Sequence, residues 1–406
     1  MNGAFLRGTR ELDSSTAILF SLRIDPPWRG YKSVSMSREA RVAIRVLHEM
    51  SHDSNLEVAR RIDDWWSIAK NDVLTDPFRP MAKAGLFQIG LPGAGALDSF
   101  RAVAAAEQAI AAKTGLLGLA SAFAGRQMVA RFFIGGFANQ EQRAAWLPRV
   151  AAGEVCAAIA ISEPGAGAHP KHLQTSAEPQ GAGYVVRGRK AWVTNGPVAD
   201  VFLVLAVTGI EEGRKRYGLF LIPKLTKGLS VKPMPALDAL APAAHCELEL
   251  DGCEIPATAR IGDMADAYPA MALPFRDTED TVGTANISGL LSWLLEQCAA
   301  RIEPTEDNAL RLGRIAGLVS LVQAASQLAV AALDGEGPEV PARVIGVRLL
   351  ARQIVDEIRE LLPQGASADE AITRALAAYD LLSSVAREPR KVRQARVGNS
   401  LWSVKQ

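Results

Sequence analysis

Residues 158 to 207 read AIAISEPGAGAHPKHLQTSAEPQGAGYVVRGRKAWVTNGPVADVFLVLAV, and the architecture of the chain follows from this stretch. Short runs rich in Val, Ile, Leu and aromatic residues alternate in it with Gly, Pro and Asn, which is typical of β-strands joined by turns. In CELELDG (246–252) leucines and acidic residues alternate with the period of a sheet that has one wet face. The sequence therefore predicts about a hundred residues of antiparallel sheet between 156 and 262.

Helical periodicity flanks the predicted sheet on both sides. Between 37 and 155, apolar residues recur at helical spacing, as at Val103, Ala106 and Ile110, and predict four to six helices. After residue 263 four apolar segments predict four helices packed antiparallel, the first beginning near Arg276. The basic segment REPRKVRQARVGNS (387–400) is predicted to be exposed and partly mobile.

Length, charge and cysteine content narrow the class of protein. A chain of 406 residues exceeds one hydrophobic core, so several packed units are expected. Lys and Arg number 45 against 44 Asp and Glu, which argues against nucleic-acid binding. The four cysteines form no CxxC pair, which favours buried thiols in a reducing, cytoplasmic setting. The sequence shows no run of about 18 uninterrupted apolar residues, so we expect no membrane insertion.

The predicted organisation has four parts. Residues 1–36 carry arginines around a short apolar patch, but interspersed acids argue against an import peptide, so we expect a poorly ordered extension. A helical N-terminal domain is expected at 37–155, a middle β domain at 156–262 and a C-terminal helical bundle at 263–406.

Two linked motifs in the sheet resemble a known family. SEPGAG (162–167) followed by WVTNG (192–196) is similar to the middle-domain signature of the acyl-CoA dehydrogenases, and AGLFQIGLP (84–92) and FANQEQRAAWLPRVAAGE (137–154) resemble that family's N-terminal domain. The resemblance implies an α+β multidomain fold: an N-terminal helical domain, a central antiparallel β-barrel-like domain and a C-terminal four-helix bundle.

The same resemblance implies FAD as the cofactor. An aromatic wall at Trp192 and a hydroxyl at Thr194, two residues on and on the same face of a strand, suit a flavin ring. The cofactor-binding positions implied are Ile161, Ser162, Gly167, Trp192, Val193 and Thr194, and Ala168 and Asp277 are implied to bind substrate.

The implied reaction is α,β-dehydrogenation of an acyl thioester, which requires a carboxylate base. The isovaleryl-CoA branch of the family places this glutamate on the first long C-terminal helix, where this chain reads DTEDTVGTANISG (277–289). Glu279 falls on the base position, but Asp280 stands where the family has Arg. The alternative is that Glu279 is a solvated acid at the positive N-terminus of a helix.

Departures from the family pattern keep other functions open. RIEPTEDNALRLG (301–313) replaces the family's Arg-x-x-Phe-Gly motif, which contacts the flavin of a neighbouring subunit. The alternatives are a non-catalytic subunit that pairs with a homologue, or a flavin-dependent oxidase or monooxygenase. His169 and His172 form HxxH without a third ligand, so no metal is expected. The implied partners are an acyl-CoA or acyl-carrier thioester, an electron-transfer flavoprotein, and further subunits in a homodimer, homotetramer or heteromer.

Overall fold

The computed structural model describes residues 38–235, 237–338, 340–363 and 369–403, with side chains from residue 54 onward. The contacts within the chain divide it after His48, and the features below, apart from the start of the first helix, belong to residues 49–406. The predicted extension at 1–36 lies outside the described residues.

The N-terminal region is helical. Its helices are α1 (Arg38–Ala69), α2 (Phe78–Lys83), α3 (Phe100–Thr114), α4 (Leu117–Val129) and α5 (Gln140–Ala151). Ser99 caps α3 through its side chain, and Asn139 and Gln142 form a reciprocal capping box at α5. These five helices agree with the four to six that the periodicity predicts.

The central region is one sheet of eight strands. They are β1 (Ala157–Ala160), β2 (Ser176–Gln180), β3 (Gly183–Thr194), β4 (Val201–Glu211), β5 (Arg214–Pro223), β6 (Leu229–Pro233), β7 (His245–Pro256) and β8 (Arg260–Ile261). The order is β6-β7-β3-β2-β4-β5-β8, and β1 pairs with β4. The long pairs β3–β7 and β4–β5 are antiparallel, as predicted, whereas β1 runs parallel to β4. Strand β2 also meets β4 in parallel, at Ser176 and Val207, so the sheet is mixed around β4, which the antiparallel prediction missed.

Strand β4 is buried on both faces, which explains its unbroken apolar run. Val201, Leu203 and Leu205 belong to the core that also contains the N-terminal helices. Phe202 and Val204, on the opposite face, belong to the sheet's own core. The period-2 alternation of a strand thus joins the helical region to the sheet along one element.

The C-terminal region contains five helices in the described residues. They are α6 (Leu273–Ala299), α7 (Glu306–Ala331), α8 (Pro341–Leu361), α9 (Glu370–Ser384) and α10 (Arg387–Ser403). Four were predicted; the fifth, α10, forms in the basic segment that was expected to be partly mobile. Arg390 and Arg393 of α10 bind Asp280 of α6, so ion pairs fix a helix whose sequence lacks an apolar stripe.

Helix α6 begins at Leu273, about one turn before the predicted start near Arg276. Glu279 therefore lies in the second turn, where the field of the helix N-terminus has largely decayed. The helix packs closely on α3, because a Cβ at Gly289 would lie 2.2 Å from the carbonyl oxygen of Gln108. This close approach brings the two helices' acidic side chains to the same region of the molecule.

One segment among the described residues, Glu306–Asp334, is long and apolar enough to cross a membrane by length and composition, although 44% of its most apolar window is buried in the bundle. The sequence criterion of an uninterrupted apolar run did not detect it. Core helices of soluble proteins meet the same criterion. All four cysteines are free and buried, which confirms their predicted role as small apolar residues.

Candidate functional site

The predicted flavin residues meet where β1 ends beside β3. After β1 the chain continues through Ile161 and Ser162, and the amide of Ala191 donates a hydrogen bond to the Ser162 carbonyl oxygen at 2.9 Å. This bond places Ser162 next to Trp192 although the two are 30 positions apart. The hydroxyls of Ser162 and Thr194 have no hydrogen bond to another described residue and are half-buried.

Trp192 projects from a break in the sheet. The register of β3 against β7 shifts between Lys190 and Val193, and Trp192 adopts φ 60°, in the left-handed region. Its side chain is 56% exposed, and its ring meets that of His245 edge-on with centroids 6.4 Å apart. A bulky residue held in this region costs roughly 1–3 kcal/mol and is typical of functional sites.

Val193 and Thr194 occupy opposite faces of the strand. The Val193 side chain is fully buried in the sheet core, so only its backbone can reach a ligand. Thr194 is half-buried and pairs with His245 across the ladder. Trp192 and Thr194 are thus the accessible side chains of this segment, and the Val193 side chain packs in the sheet core.

A buried ion pair fixes the turn that follows Ser162. Lys190 donates from Nζ to Oε1 of Glu163 at 2.9 Å and to the Ile161 carbonyl at 3.0 Å. Glu163 also accepts from the amides of Gln174 at 2.7 Å and Thr175 at 2.9 Å. Burial would raise the pKa of Glu163, but Lys190 and the hydrogen bonds outweigh it and keep that pKa below its ordinary value.

The glycines of the turn allow a tight backbone reversal. Gly165 and Gly167 have φ of 74° and 57°, which glycine adopts without strain. The amide of Gly167 donates to the Glu163 carbonyl at 3.0 Å, so it is not free to bind a ligand. The carbonyl of Ala168 accepts from the hydroxyl of Tyr268 at 2.8 Å, which ties the turn to the chain just before α6.

The predicted base Glu279 lies within electrostatic range of a second acid, Glu107 of α3. The Glu279 residue as a whole is exposed to solvent, but the surrounding protein desolvates its carboxylate. This desolvation, followed by the negative charge of Asp280, raises the pKa of Glu279 to about 7. Glu107 is buried, and its Oε2 has no hydrogen-bond partner among the described residues. Burial, followed by the charge of Glu279, raises the pKa of Glu107 well above its ordinary value.

Asp280 and Asp277 are bound by arginines. Asp280 accepts from Arg348 at 2.5 Å, from Arg390 at 3.2 Å and from Arg393 at 2.5 Å. These cations hold the pKa of Asp280 below its ordinary value against the opposing effect of burial. Asp277, predicted to bind substrate, is exposed and pairs with Arg393.

Sequence reasoning missed three residues of this region. Glu107 lies in a helical stripe with Val103 and Ile110, and an acid at a core-facing position is the signal that could have found it. The ion pair of Glu163 and Lys190 was not predicted, because no sequence pattern links the acid of SEPGAG to a lysine 27 positions later. The rings of His169 and His172 lie with centroids 4.7 Å apart, and no group of three metal-binding side chains occurs in the described part of the chain.

Solved structures share this fold across nearly the whole chain. Butyryl-CoA dehydrogenase from Megasphaera elsdenii aligns with a TM-score of 0.75 and 15% identity, covering 91% of this chain and 100% of that one. The FAD complex of PigA aligns with a TM-score of 0.71 and 22% identity, covering 91% and 99%. The predicted fold class is confirmed.

Curated relatives match over shorter segments. L-prolyl-[peptidyl-carrier protein] dehydrogenase from Serratia sp. is 35% identical over 31% of this chain and 33% of its own length. Isovaleryl-CoA dehydrogenase from Oryza sativa is 30% identical over 45% of this chain and 43% of its own. The chain spans about a third of the length of the first curated relatives that it matches.

Two family models match adjacent parts of the chain. They are the acyl-CoA dehydrogenase N-terminal domain, at residues 53–154, and the acyl-CoA dehydrogenase middle domain, at residues 158–253. The second contains both motifs that carry the resemblance in the sequence. Together with the curated relatives, these two domain matches place the chain in the acyl-CoA dehydrogenase family.

Proposed function

We propose that the chain is an FAD-dependent oxidoreductase that dehydrogenates an acyl thioester between its α and β carbons. The observation that carries the proposal is Trp192, a large aromatic side chain held exposed in a left-handed backbone beside Ser162. Packing does not account for an indole in this position. A flat ligand that covers it would.

The residues present fit a flavin. The indole of Trp192 offers an aromatic wall, and the hydroxyls of Ser162 and Thr194 are free to bond a polar ring edge. FAD is supported as the cofactor by relatives of the same fold, including the FAD complex of PigA. When bound, FAD supplies the acceptor for the hydride that leaves the substrate's β-carbon.

Glu279 is the proposed base. Its carboxylate takes the α-proton of the substrate, and a pKa of about 7 lets it accept and release that proton near neutral pH. Burial also raises the pKa of nearby Glu107 well above its ordinary value, which favours the neutral form of that side chain.

The acyl carrier and the partners are also proposed from the relatives. Their printed names include both CoA thioesters and a peptidyl-carrier thioester, so the carrier is CoA or an acyl-carrier domain. An electron-transfer flavoprotein is the proposed acceptor of the electrons. Further copies of the chain, or a homologue, are the proposed subunits of an oligomer.

The visible absorption spectrum of the purified protein tests this function. Saturation with FAD and anaerobic bleaching by one member of an acyl-CoA panel are expected. Glu279→Gln is expected to slow bleaching about 10²-fold or more while FAD stays bound. Glu296→Gln, an exposed glutamate on the same helix, is the matched control and should bleach at the wild-type rate. Unchanged bleaching by Glu279→Gln would remove Glu279 from the mechanism.

A specific observation favours a second candidate, a non-catalytic subunit that pairs with a competent homologue. Arg301, at the start of the segment that replaces the family's flavin-contacting motif, bonds Asp369 of its own chain and Gln297 one turn earlier. It is therefore engaged within the subunit. A colourless protein that gains flavin only when coexpressed with a homologue would support this candidate, whereas turnover by the chain alone would exclude it.

A further inference from the structure

A cavity of about 180 Å³ lies within the C-terminal bundle, between α6, α8, α9 and α10. Its lining includes four apolar side chains, Ile287, Val344, Ile345 and Leu349. It also includes six basic side chains, Arg348, Arg352, Arg387, Arg390, Lys391 and Arg393. A cavity with both kinds of lining residue is amphipathic.

The positive charge of the cavity exceeds the negative charge that faces it. Asp280 is the acid among the lining residues, and its carboxylate is shared by Arg348, Arg390 and Arg393. Asp277 also pairs with Arg393 from outside the lining. Glu279, beside Asp280, also lies within electrostatic range of Arg390, so these acids offset the three arginines but not the remaining lining cations.

The remaining cations increase this excess. Lys391 pairs with Glu388 at 2.7 Å, whereas Arg352 and Arg387 have no ion pair with another described residue. The Nε of Arg348 is buried without a hydrogen-bond partner among the described residues. An unsatisfied buried donor of a charged group is costly, and an oxyanion in the cavity would satisfy it.

We propose that this cavity is a second ligand site, which binds an organic anion with an oxyanion head on a short apolar stem. The arginines bind the head, since guanidinium groups suit carboxylates and phosphates, and the aliphatic lining residues bind the stem. The site is separate from the predicted flavin residues, which lie at β1 and β3. Phosphate monoesters and carboxylates share the required chemistry.

Titration calorimetry at constant ionic strength, with n-hexyl phosphate as the probe, tests the proposal. Hexyl phosphate is expected to bind at least tenfold more tightly than inorganic phosphate, which lacks the stem, and than hexanol, which lacks the head. If hexanoate binds as tightly as hexyl phosphate, the head group of the natural ligand is a carboxylate. If hexanoate binds tenfold more weakly than hexyl phosphate, the head group is a phosphate. Inorganic phosphate binding as well as hexyl phosphate, or no binding by hexyl phosphate, would overturn the proposal.

Single arginine variants assign the binding to this cavity. Arg390→Gln is expected to weaken hexyl phosphate about tenfold, the effect of one lost charge-assisted hydrogen bond. Arg387→Gln, at an exposed position without an ion pair among the described residues, should weaken binding similarly and does not depend on the Asp280 contacts. Arg396→Gln, on α10 but outside the lining, is the matched control and should change affinity less than twofold. Equal weakening by Arg396→Gln would refute the assignment.

Discussion

Two regions of this molecule bury a carboxyl group, and they differ in the partners that they give it and in the direction of its pKa shift. In the sheet, Glu163 receives a lysine and two backbone amides, and its pKa stays below the ordinary value. Between α3 and α6, Glu107 receives no hydrogen bond at Oε2, and its pKa rises well above the ordinary value. A buried acid that is bonded to a cation fixes a turn, whereas burial without such a bond favours the neutral form of the acid.

The largest expected effect comes from breaking the satisfied pair. Lys190→Met leaves Glu163 buried without its cation and is expected to lower the free energy of unfolding by about 3–5 kcal/mol. Urea denaturation measures it. Lys232→Met, which breaks the exposed pair with Glu249, is the control and should cost at most about 1 kcal/mol. Equal losses from both variants would show that the pair in the sheet is no more important than a surface pair.

The second prediction concerns the unsatisfied acid. The folded pKa of Glu107 lies above its unfolded value of 4.5, so above pH 4.5 the unfolded chain releases a proton that the folded chain retains. Stability therefore falls as pH rises from 4.5 toward the folded pKa, by at most about 1.4 kcal/mol per pH unit for this one proton. Glu107→Gln should make this fall shallower, as measured by thermal unfolding at a series of pH values.

Glu279 limits how much of the pH dependence Glu107→Gln can remove. Its folded pKa of about 7 contributes a fall in the same direction between pH 4.5 and 7. A residual slope in that interval is thus expected in the variant. Glu296→Gln, on the exposed face of α6, should leave the wild-type slope unchanged, and a Glu107→Gln curve identical to it would show that Glu107 is not a buried titrating group.

The third prediction concerns the effect of Asp280 on the pKa of Glu279, and it rests on the proposed function. Asp280 raises the pKa of Glu279, and loss of its charge also frees Arg390, which favours the ionised carboxylate of Glu279. Asp280→Asn should therefore move the midpoint of the pH dependence of flavin bleaching below about 7. Asp356→Asn, an exposed acid on α8, is the control. A midpoint that stays near 7 in Asp280→Asn would separate Asp280 from the base.

The order of helices and strands could be predicted from the sequence because it depends on the local spacing of apolar residues. Apolar spacing changes from helical to alternating near residue 156 and back near 263, and these changes need no knowledge of distant contacts. The motifs SEPGAG and WVTNG likewise predicted that Ser162 and Trp192 belong together. The backbone hydrogen bond from Ala191 to Ser162 is consistent with that pairing.

What could not be predicted depends on long-range contacts. The parallel pairing of β1 with β4 joins segments that are 44 positions apart, such as Ala157 and Val201. Helix α10 is held by ion pairs to α6 rather than by its own apolar pattern. The raised pKa of Glu107 depends on burial between packed helices and on the charge of Glu279, more than 170 positions later, which no local pattern states.

The smallest expected effect tests the strained residue that lies two positions from Lys190. Trp192 is held at φ 60° although its side chain is mostly exposed, and the satisfied ion pair beside it helps to hold the bulge. Glycine adopts this conformation freely, so Trp192→Gly should raise the stability of the flavin-free protein by up to about 1 kcal/mol while abolishing flavin absorbance. Trp402→Gly, an exposed tryptophan in helix α10, is the control; it should lower stability by about 1 kcal/mol and keep the flavin. A Trp192→Gly protein that loses stability and stays yellow would show that the indole serves packing, and that this region contains structure without a ligand site.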